Sequence, residues 1–366
     1  MATGKALYGK PDAGNPHVRF DEGEVASAAT PRRGSLLYNF SRRDFIVAGA
    51  SAGMMAAGNA AFGEVLGPEV RKLKGFAPLN VKRIFVEVGA ERPFKVVHLS
   101  DTHIVRAVKS DGDAKIRLAA TRYGQMGYGE HYLWEAVAMA RADGAMLVHT
   151  GDMIDFVSKA NLDFAGLAFG TDDWFVAAGN HEYSRFVGEA REDAEYKAGS
   201  YDRVFGHYPN DLTFASRIVN GVNFVAADDV YYNFTEEQLR LMKKEVEKGF
   251  PIVFLCHVPL HVPKHYEHMM QVTHGLCAYE TGVPDNLVKT WKGGVVDPSN
   301  WRDRRVQQRT DGPTAEFIAY LKSQPLVKAV LCGHCHEFWE ERFSPTAMMY
   351  VADATFHGGC TEIKFT

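Results

Sequence analysis

The sequence contains no run of 18 or more consecutive apolar residues. A membrane-spanning helix needs about that length, so no stable span is expected in the mature chain. It has only five cysteines, too few for a disulfide scaffold and odd in number, so at least one stays unpaired within a monomer. It also lacks a basic excess: 41 Lys and Arg against 45 Asp and Glu give a net charge of -4. Nothing in that balance points to a polyanion, nucleic acid included, as the main partner. What is present is apolar and aromatic, with 46% hydrophobic residues, 23 Phe, 15 Tyr and 5 Trp. This is the composition of a globular chain rather than a disordered, collagenous or coiled-coil one. At 366 residues, one large domain with insertions or two smaller ones of ~150 residues each are both open.

Residues 1 to 62 read as an address rather than a fold. The first thirty are rich in Gly, Ala, Pro and charge, with no sustained period of 2 or 3.6, and predict a disordered or loosely attached segment. Arg42 and Arg43 then precede the apolar, Gly/Ala-rich run from Phe45 to Gly63, the charged-then-apolar order of an export signal. The stretch SRRDFIV from Ser41 resembles the twin-arginine motif, and Gly58, Asn59 and Ala60 resemble a small-residue cleavage site. The expectation is a folded protein carried by the twin-arginine export machinery to the periplasm. Without a working leader, the location is cytoplasmic.

From Lys82 onward, short Val/Ile/Phe/Leu runs alternate with helical patterns, and many of the runs end in polar residues. Strands are expected at Lys82 to Val88, Phe94 to Ser100, Ala145 to Thr150, Trp174 to Ala178 and Gly221 to Ala227, and in the runs that end at His257 and Gly333. Helices are expected at Gly129 to Asp143, at Thr235 to Gly249 with Thr235 as cap, and at Pro313 to Gln324. The last two runs, MMYVADATF and CTEIKF, are expected to close a sheet edge. This is the grammar of a layered α/β domain, whose ligands gather beyond the carboxyl ends of the strands.

Five polar clusters sit there: Asp101 with His103, Asp152 after Gly151, Asn180 with His181 after Gly179, His257, and His334 with His336 after Gly333. A single Asp-x-His or Gly-Asp is ordinarily a helix cap or a turn; five in this order are not so easily dismissed. An extended backbone would put Asp101 and His103 on one side, and His334 and His336 likewise, with Cys335 turned into the packed layer. The mixture of oxygen and nitrogen donors suits Mn, Fe or Zn better than a hard Ca site. Cys332 and Cys335 form a CxxC pair, but without a second such pair no zinc-thiolate site follows; a disulfide between them stays open.

Together LSDTH, TGD, GNHE, CHVP and CGHCH strongly resemble the calcineurin-like metallophosphoesterase superfamily over roughly residues 94 to 360. The resemblance implies a four-layer sandwich, two mixed β-sheets flanked by helices, within a domain at 82–366. It also implies a dinuclear centre that hydrolyses phosphate esters by attack of a metal-bridging hydroxide. By that resemblance Asp101, His103 and His336 hold the first metal, Asp152 bridges with its two oxygens, and Asn180, His257 and His334 hold the second. His181 then contacts the phosphate or protonates the leaving oxygen, and Glu182 supports His181 or another hydrogen bond around the ligands.

Substrate choice is expected to lie in three longer connections: Arg106 to His131, Tyr183 to Asn210, and a cap insertion at 262–313. His265, His268, Tyr279, Trp301 and Arg302 are the candidate substrate contacts in the last. The motif combination looks closest to bacterial cyclic-nucleotide-type phosphodiesterases and generic exported phosphoesterases, so a phosphodiester is favoured. A phosphomonoesterase or protein phosphatase is the alternative, although Ala178 stands where protein phosphatases usually carry Arg before GNHE. A metal-binding or interaction protein without catalysis is the alternative of another class.

Overall fold

The computed structural model describes residues 77–187, 194–290 and 308–366. The expected N-terminal segment and export leader lie outside the described residues, as do Trp301 and Arg302.

The first sheet is built from β1 (Asn80–Val86), β2 (Phe94–Leu99), β3 (Met146–His149) and β4 (Trp174–Val176). The second is built from β5 (Phe214–Val219), β6 (Val222–Ala227), β7 (Ile252–Leu255), β8 (Val327–Cys332), β9 (Trp339–Arg342) and β10 (Met348–Val351). A last strand, β11 (Gly359–Phe365), returns to the first sheet, giving the orders β1-β11-β2-β3-β4 and β5-β6-β7-β8-β10-β9. Both sheets are mixed: β2, β3 and β4 run parallel while β11 is antiparallel to β2, and β6, β7, β8 and β10 run parallel between antiparallel β5 and β9.

The expectation that the last two runs close an edge is corrected. β11 lies inside the first sheet, between β1 and β2, and β10 lies inside the second, between β8 and β9. The reason is burial: Ile363 and Phe365 are fully buried and pack between the sheets, which an edge position would not require.

Strand alternation assigns the layers. On β7, Val253 and Leu255 join Val96, Val148, Phe224 and Leu331 between the two sheets, while Ile252 and Phe254 face outward into a second core. The outer face of the first sheet is covered by α2 and α3, once the helices are numbered in chain order: α1 (Asp113–Met126), α2 (Gly129–Asp143), α3 (Lys159–Phe169), then α4 (Glu236–Glu247), α5 (Pro263–Val272) and α6 (Gly312–Ser323). Residues of α4, α5 and α6 enter the core on the outer face of the second sheet. Helix, sheet, sheet, helix is the four-layer sandwich. Thr235 caps α4 as expected: its side chain accepts from the Gln238 amide, and the Gln238 side chain answers the Thr235 amide.

The connection from Arg106 to His131 is not simply loop. It holds α1, whose DAKIRLAATRYGQM is rich in Ala, Leu, Lys, Arg and Met, all good helix formers. The helix brings Arg122 into the interior at 3% exposure.

Candidate metal centre

The polar clusters follow the ends of β2, β3, β4, β7 and β8, so the parallel strands of both sheets deliver them to one end of the sandwich. The extended backbone expected there from the sequence is corrected. Asp101, His103, Asp152, His334 and His336 all have positive φ, from 48° to 72°. Their side chains converge because each chain segment turns sharply in the left-handed region, uncommon for residues other than glycine and often found at functional sites. Two glycines allow the close approach. Gly151 has φ 95°, and a Cβ on it would come within 2.7 Å of His257 Nδ1. A Cβ on Gly333 would overlap Ser100 and lie 2.6 Å from Asp101 Oδ2.

The candidate ligand atoms form three overlapping groups, Asp101/His103/His336, His103/Asp152/His181 and Asp152/His257/His334, with the atoms of each within 4.8 Å of one another. In the first group His336 Nε2 is 3.2 Å from both Asp101 Oδ1 and His103 Nε2. On the other side, His257 Nε2 is 3.3 Å from Asp152 Oδ2, 3.2 Å from Asn180 Oδ1 and 3.1 Å from His334 Nδ1. Asp152 Oδ2 is also 3.7 Å from His103 Nε2, so one carboxylate oxygen faces both halves. Asp152 Oδ1, the other oxygen, accepts the His181 amide at 2.9 Å.

These residues fit a pair of cations. Imidazole nitrogens sit nitrogen to nitrogen, an arrangement that needs a shared proton or cation between each pair. The buried Asp101 Oδ1 has no hydrogen-bond partner among the described residues, an acceptor left for such a charge. Burial opposes ionisation of Asp101, but His336 beside it, with His257 and His103, holds the carboxyl well below its usual range. Asp152 is lowered in the same way, against burial, chiefly by His257 and His181. Burial also opposes a charge on His257, yet Asp152 and Asp101 push its pKa up to about 10.

The surroundings orient the rings. His257 Nδ1 donates to the Thr150 carbonyl at 2.7 Å, leaving Nε2 toward the centre. His103 Nδ1 donates to Asp155 Oδ1 at 3.0 Å, and His181 Nδ1 donates to the Asp155 carbonyl at 2.6 Å. These tautomers are assigned from the partners. His181 Nε2 then lies 3.8 Å from Asp152 Oδ2, facing the same centre. Glu182 supports other hydrogen bonds around the ligands. It accepts the backbone amides of Asp152, Met153 and Gly179 at 2.7 to 2.8 Å, and the Tyr208 hydroxyl at 2.9 Å.

The candidate substrate contacts are more scattered. The Tyr279 ring lies 5.4 Å from that of His334. His268 stacks on Trp339 at 4.9 Å and bonds Glu337, the neighbour of His336, at 2.7 Å. His265 is buried and turned to Glu280, 2.7 Å from Nδ1, outside the three ligand groups. All five cysteines are buried free thiols, so the CxxC pair carries no disulfide, and Cys335 packs in the outer core of the second sheet.

Sequence reading missed Asp155, although it stands three residues after Asp152 in the same turn. It also missed Phe356, whose ring lies 4.9 Å from His336 and 5.6 Å from His103. Arg122, which clasps Asp155, gives no signal in the sequence because no motif surrounds it.

A comparison with curated proteins finds no match. Among solved structures, similar ones include a dimetal phosphatase from Danio rerio, with TM-score 0.40 and 13% identity, covering 74% of this chain and 91% of that one. A putative 5'-nucleotidase from Staphylococcus aureus has TM-score 0.36 and 12% identity over 72% of this chain and 49% of that one. The 5'-nucleotidase from Candida albicans has TM-score 0.33 and 13% identity over 77% and 47%. The chain thus spans about half the length of the two nucleotidases. The sequence pattern of the calcineurin-like phosphoesterases matches residues 94–338, and with that match the chain belongs to the calcineurin-like phosphoesterase family, as a metal-dependent phosphoester hydrolase with a dinuclear metal site.

Proposed function

We propose that the protein hydrolyses phosphodiesters, with Asp101, His103 and His336 holding one metal ion, Asn180, His257 and His334 the other, and Asp152 shared between them. The observation that carries this reading is the position of Asp152 Oδ2, 3.3 Å from His257 Nε2 and 3.7 Å from His103 Nε2. When bound, two cations of Mn, Fe or Zn type would supply Lewis acidity that activates water and neutralises charge on the phosphoryl oxygens.

The chain's own contribution is orientation and a proton. His181 gives Nδ1–H to the Asp155 carbonyl at 2.6 Å, so its Nε2 is the atom left to contact the phosphate or donate a proton to the leaving oxygen. Asp152 Oδ1 is tied to the His181 amide at 2.9 Å, which couples the shared carboxylate to the proton donor's backbone. Glu182 fixes both turns through their amides. The diester preference is supported by the combination of LSDTH, GNH and CGHCH, and by the buried Ala178 in place of the Arg expected of a protein phosphatase.

In this reading the hydrolase domain spans 82–366, with a substrate cap at 262–313 to which His268 and Tyr279 contribute, and the twin-arginine-like leader sends the folded protein to the periplasm. Among the described residues no helix is long and apolar enough to cross a membrane. The deciding experiment compares p-nitrophenyl phosphate with bis-p-nitrophenyl phosphate on protein of measured metal content. Faster turnover of the diester supports the proposal, while faster turnover of the monoester replaces it with a phosphatase. Two bound metals with neither reaction would make it a metal-binding protein. Fractionating cells with and without Arg42→Lys plus Arg43→Lys tests export, and an unchanged distribution ends that part.

A further inference from the structure

Arg122 is 3% exposed, on α1, nineteen residues beyond His103 and outside all of the motifs. Its Nε reaches Asp155 Oδ2 at 2.7 Å and its Nη2 reaches Asp155 Oδ1 at 2.7 Å, the two-pronged geometry that fixes a carboxylate in both position and plane. Asp155 in turn serves two rings of the centre by two different groups. Its Oδ1 accepts His103 Nδ1 at 3.0 Å, and its backbone carbonyl accepts His181 Nδ1 at 2.6 Å.

We propose that Arg122 is a positioning residue of the centre: its guanidinium holds the Asp155 carboxylate where it orients His103 Nε2 toward Asp101, Asp152 and His336. The inference rests on the reading of His103 as a metal ligand. The geometry carries it. His103 Nε2 is 3.8 Å from Asp101 Oδ1 and 3.7 Å from Asp152 Oδ2, so a tilt of the ring about its Nδ1 anchor moves Nε2 relative to both carboxylates. A carboxylate held only by His103 could turn about its own side-chain bonds; one clasped by a planar fork cannot. Outer hydrogen-bond partners of ligating histidines commonly control metal affinity by about 10- to 100-fold. Lys offers a point charge rather than a fork, so it restores the charge without the alignment. The long connection between Arg106 and His131 thereby acquires a role, since its helix carries the clasp.

The test uses the full chain, stripped of metal, with Arg122→Gln and Arg122→Lys beside the wild type. Near-UV circular dichroism establishes folding, calorimetric titration with Mn2+ gives the affinity of each site, and turnover of bis-p-nitrophenyl phosphate is split into kcat and KM. The expected result is a folded Arg122→Gln protein in which one Mn2+ site is weakened about 10- to 100-fold and the other much less. Its kcat at saturating Mn2+ should fall with KM little changed, and Arg122→Lys should lie between it and the wild type. Folded variants with wild-type affinity at both sites overturn the proposal. Loss of fold in both variants also overturns it, in favour of a purely structural ion pair. A wild-type protein that binds no Mn2+ is a different failure, because it removes the metal-centre reading beneath the proposal.

Discussion

Glu182 Oε2 accepts the backbone amide of Asp152 at 2.8 Å, although the two residues lie thirty positions apart. The same oxygen accepts the Gly179 amide at 2.7 Å. One buried carboxylate therefore joins the turn after β3 to the turn after β4. Burial, with the Asp152 charge nearby, raises the Glu182 pKa, and the amide and Tyr208 hydrogen bonds work the other way.

Glu182→Gln should therefore be costly despite its nearly identical shape. Glutamine turns one acceptor oxygen into an NH2 group, which would face either the Asp152 and Gly179 amides or the Met153 amide and Tyr208 hydroxyl. Losing charge-assisted bonds of this kind should lower stability by about 3 kcal/mol. Urea unfolding of the metal-free protein reads this directly, and a variant within about 0.5 kcal/mol of wild type would exclude the clamp role.

Asp152→Asn should lose metal and activity together. Its Oδ2 faces both halves of the centre, at 3.3 Å from His257 Nε2 and 3.7 Å from His103 Nε2. An amide there brings either a neutral oxygen or an NH2 group. Elemental analysis after dialysis against Mn2+ should find markedly less metal than in wild type, with hydrolysis reduced in parallel. Full metal occupancy with lost turnover would instead confine Asp152 to a chemical role.

His181→Ala should separate the two properties. Its ring is not required by either ligand set, so both metals should remain while kcat drops by roughly 10^2- to 10^4-fold, the usual size of a general acid's contribution. The decline should be smaller for a substrate with a better leaving group, such as a dinitrophenyl ester, since that departure needs less help from a proton. Wild-type kcat, or an equal loss for both leaving groups, would refute the proton-donor role.

Much of this centre is legible along the chain because its chemistry is concentrated at strand ends. Each of the five clusters follows a short apolar run, and the structure puts all five at one end of the sandwich. What could not be read is the geometry that depends on distant segments. An Asp-x-His pair looks extended until the positive φ of Asp101 and His103 is seen. β11 slips between β1 and β2 although β1 precedes it by some 270 residues, and strand alternation does not name a pairing partner. Arg122 finds Asp155 across thirty-three positions, a match settled only by how α1 packs. Glu182 was seen as a support, but not which loops it supports, because an acidic residue in sequence does not announce the amides it will meet.

A final prediction concerns acid stability, and it isolates a histidine outside the ligand set. His98 on β2 is fully buried, with Nε2 2.8 Å from the Thr150 hydroxyl and no hydrogen-bond partner for Nδ1 among the described residues. Burial, reinforced by His149 nearby, lowers its pKa to about 3, against ~6.5 for an unfolded histidine. Between those values the unfolded chain binds the proton and the folded chain does not. The contribution of His98 to stability is therefore fully present above about pH 6.5 and is lost as pH falls toward about 3. Other buried acids and histidines titrate too, so the informative quantity is the difference between wild type and His98→Gln. From pH 7.5 to 4.5 that difference should move by roughly 3 kcal/mol, to the detriment of wild type. Urea unfolding of both metal-free proteins across this range measures it. A difference that stays constant would mean that His98 takes up its proton in the folded state, and that the interior beneath the metal centre is less dry than its burial indicates.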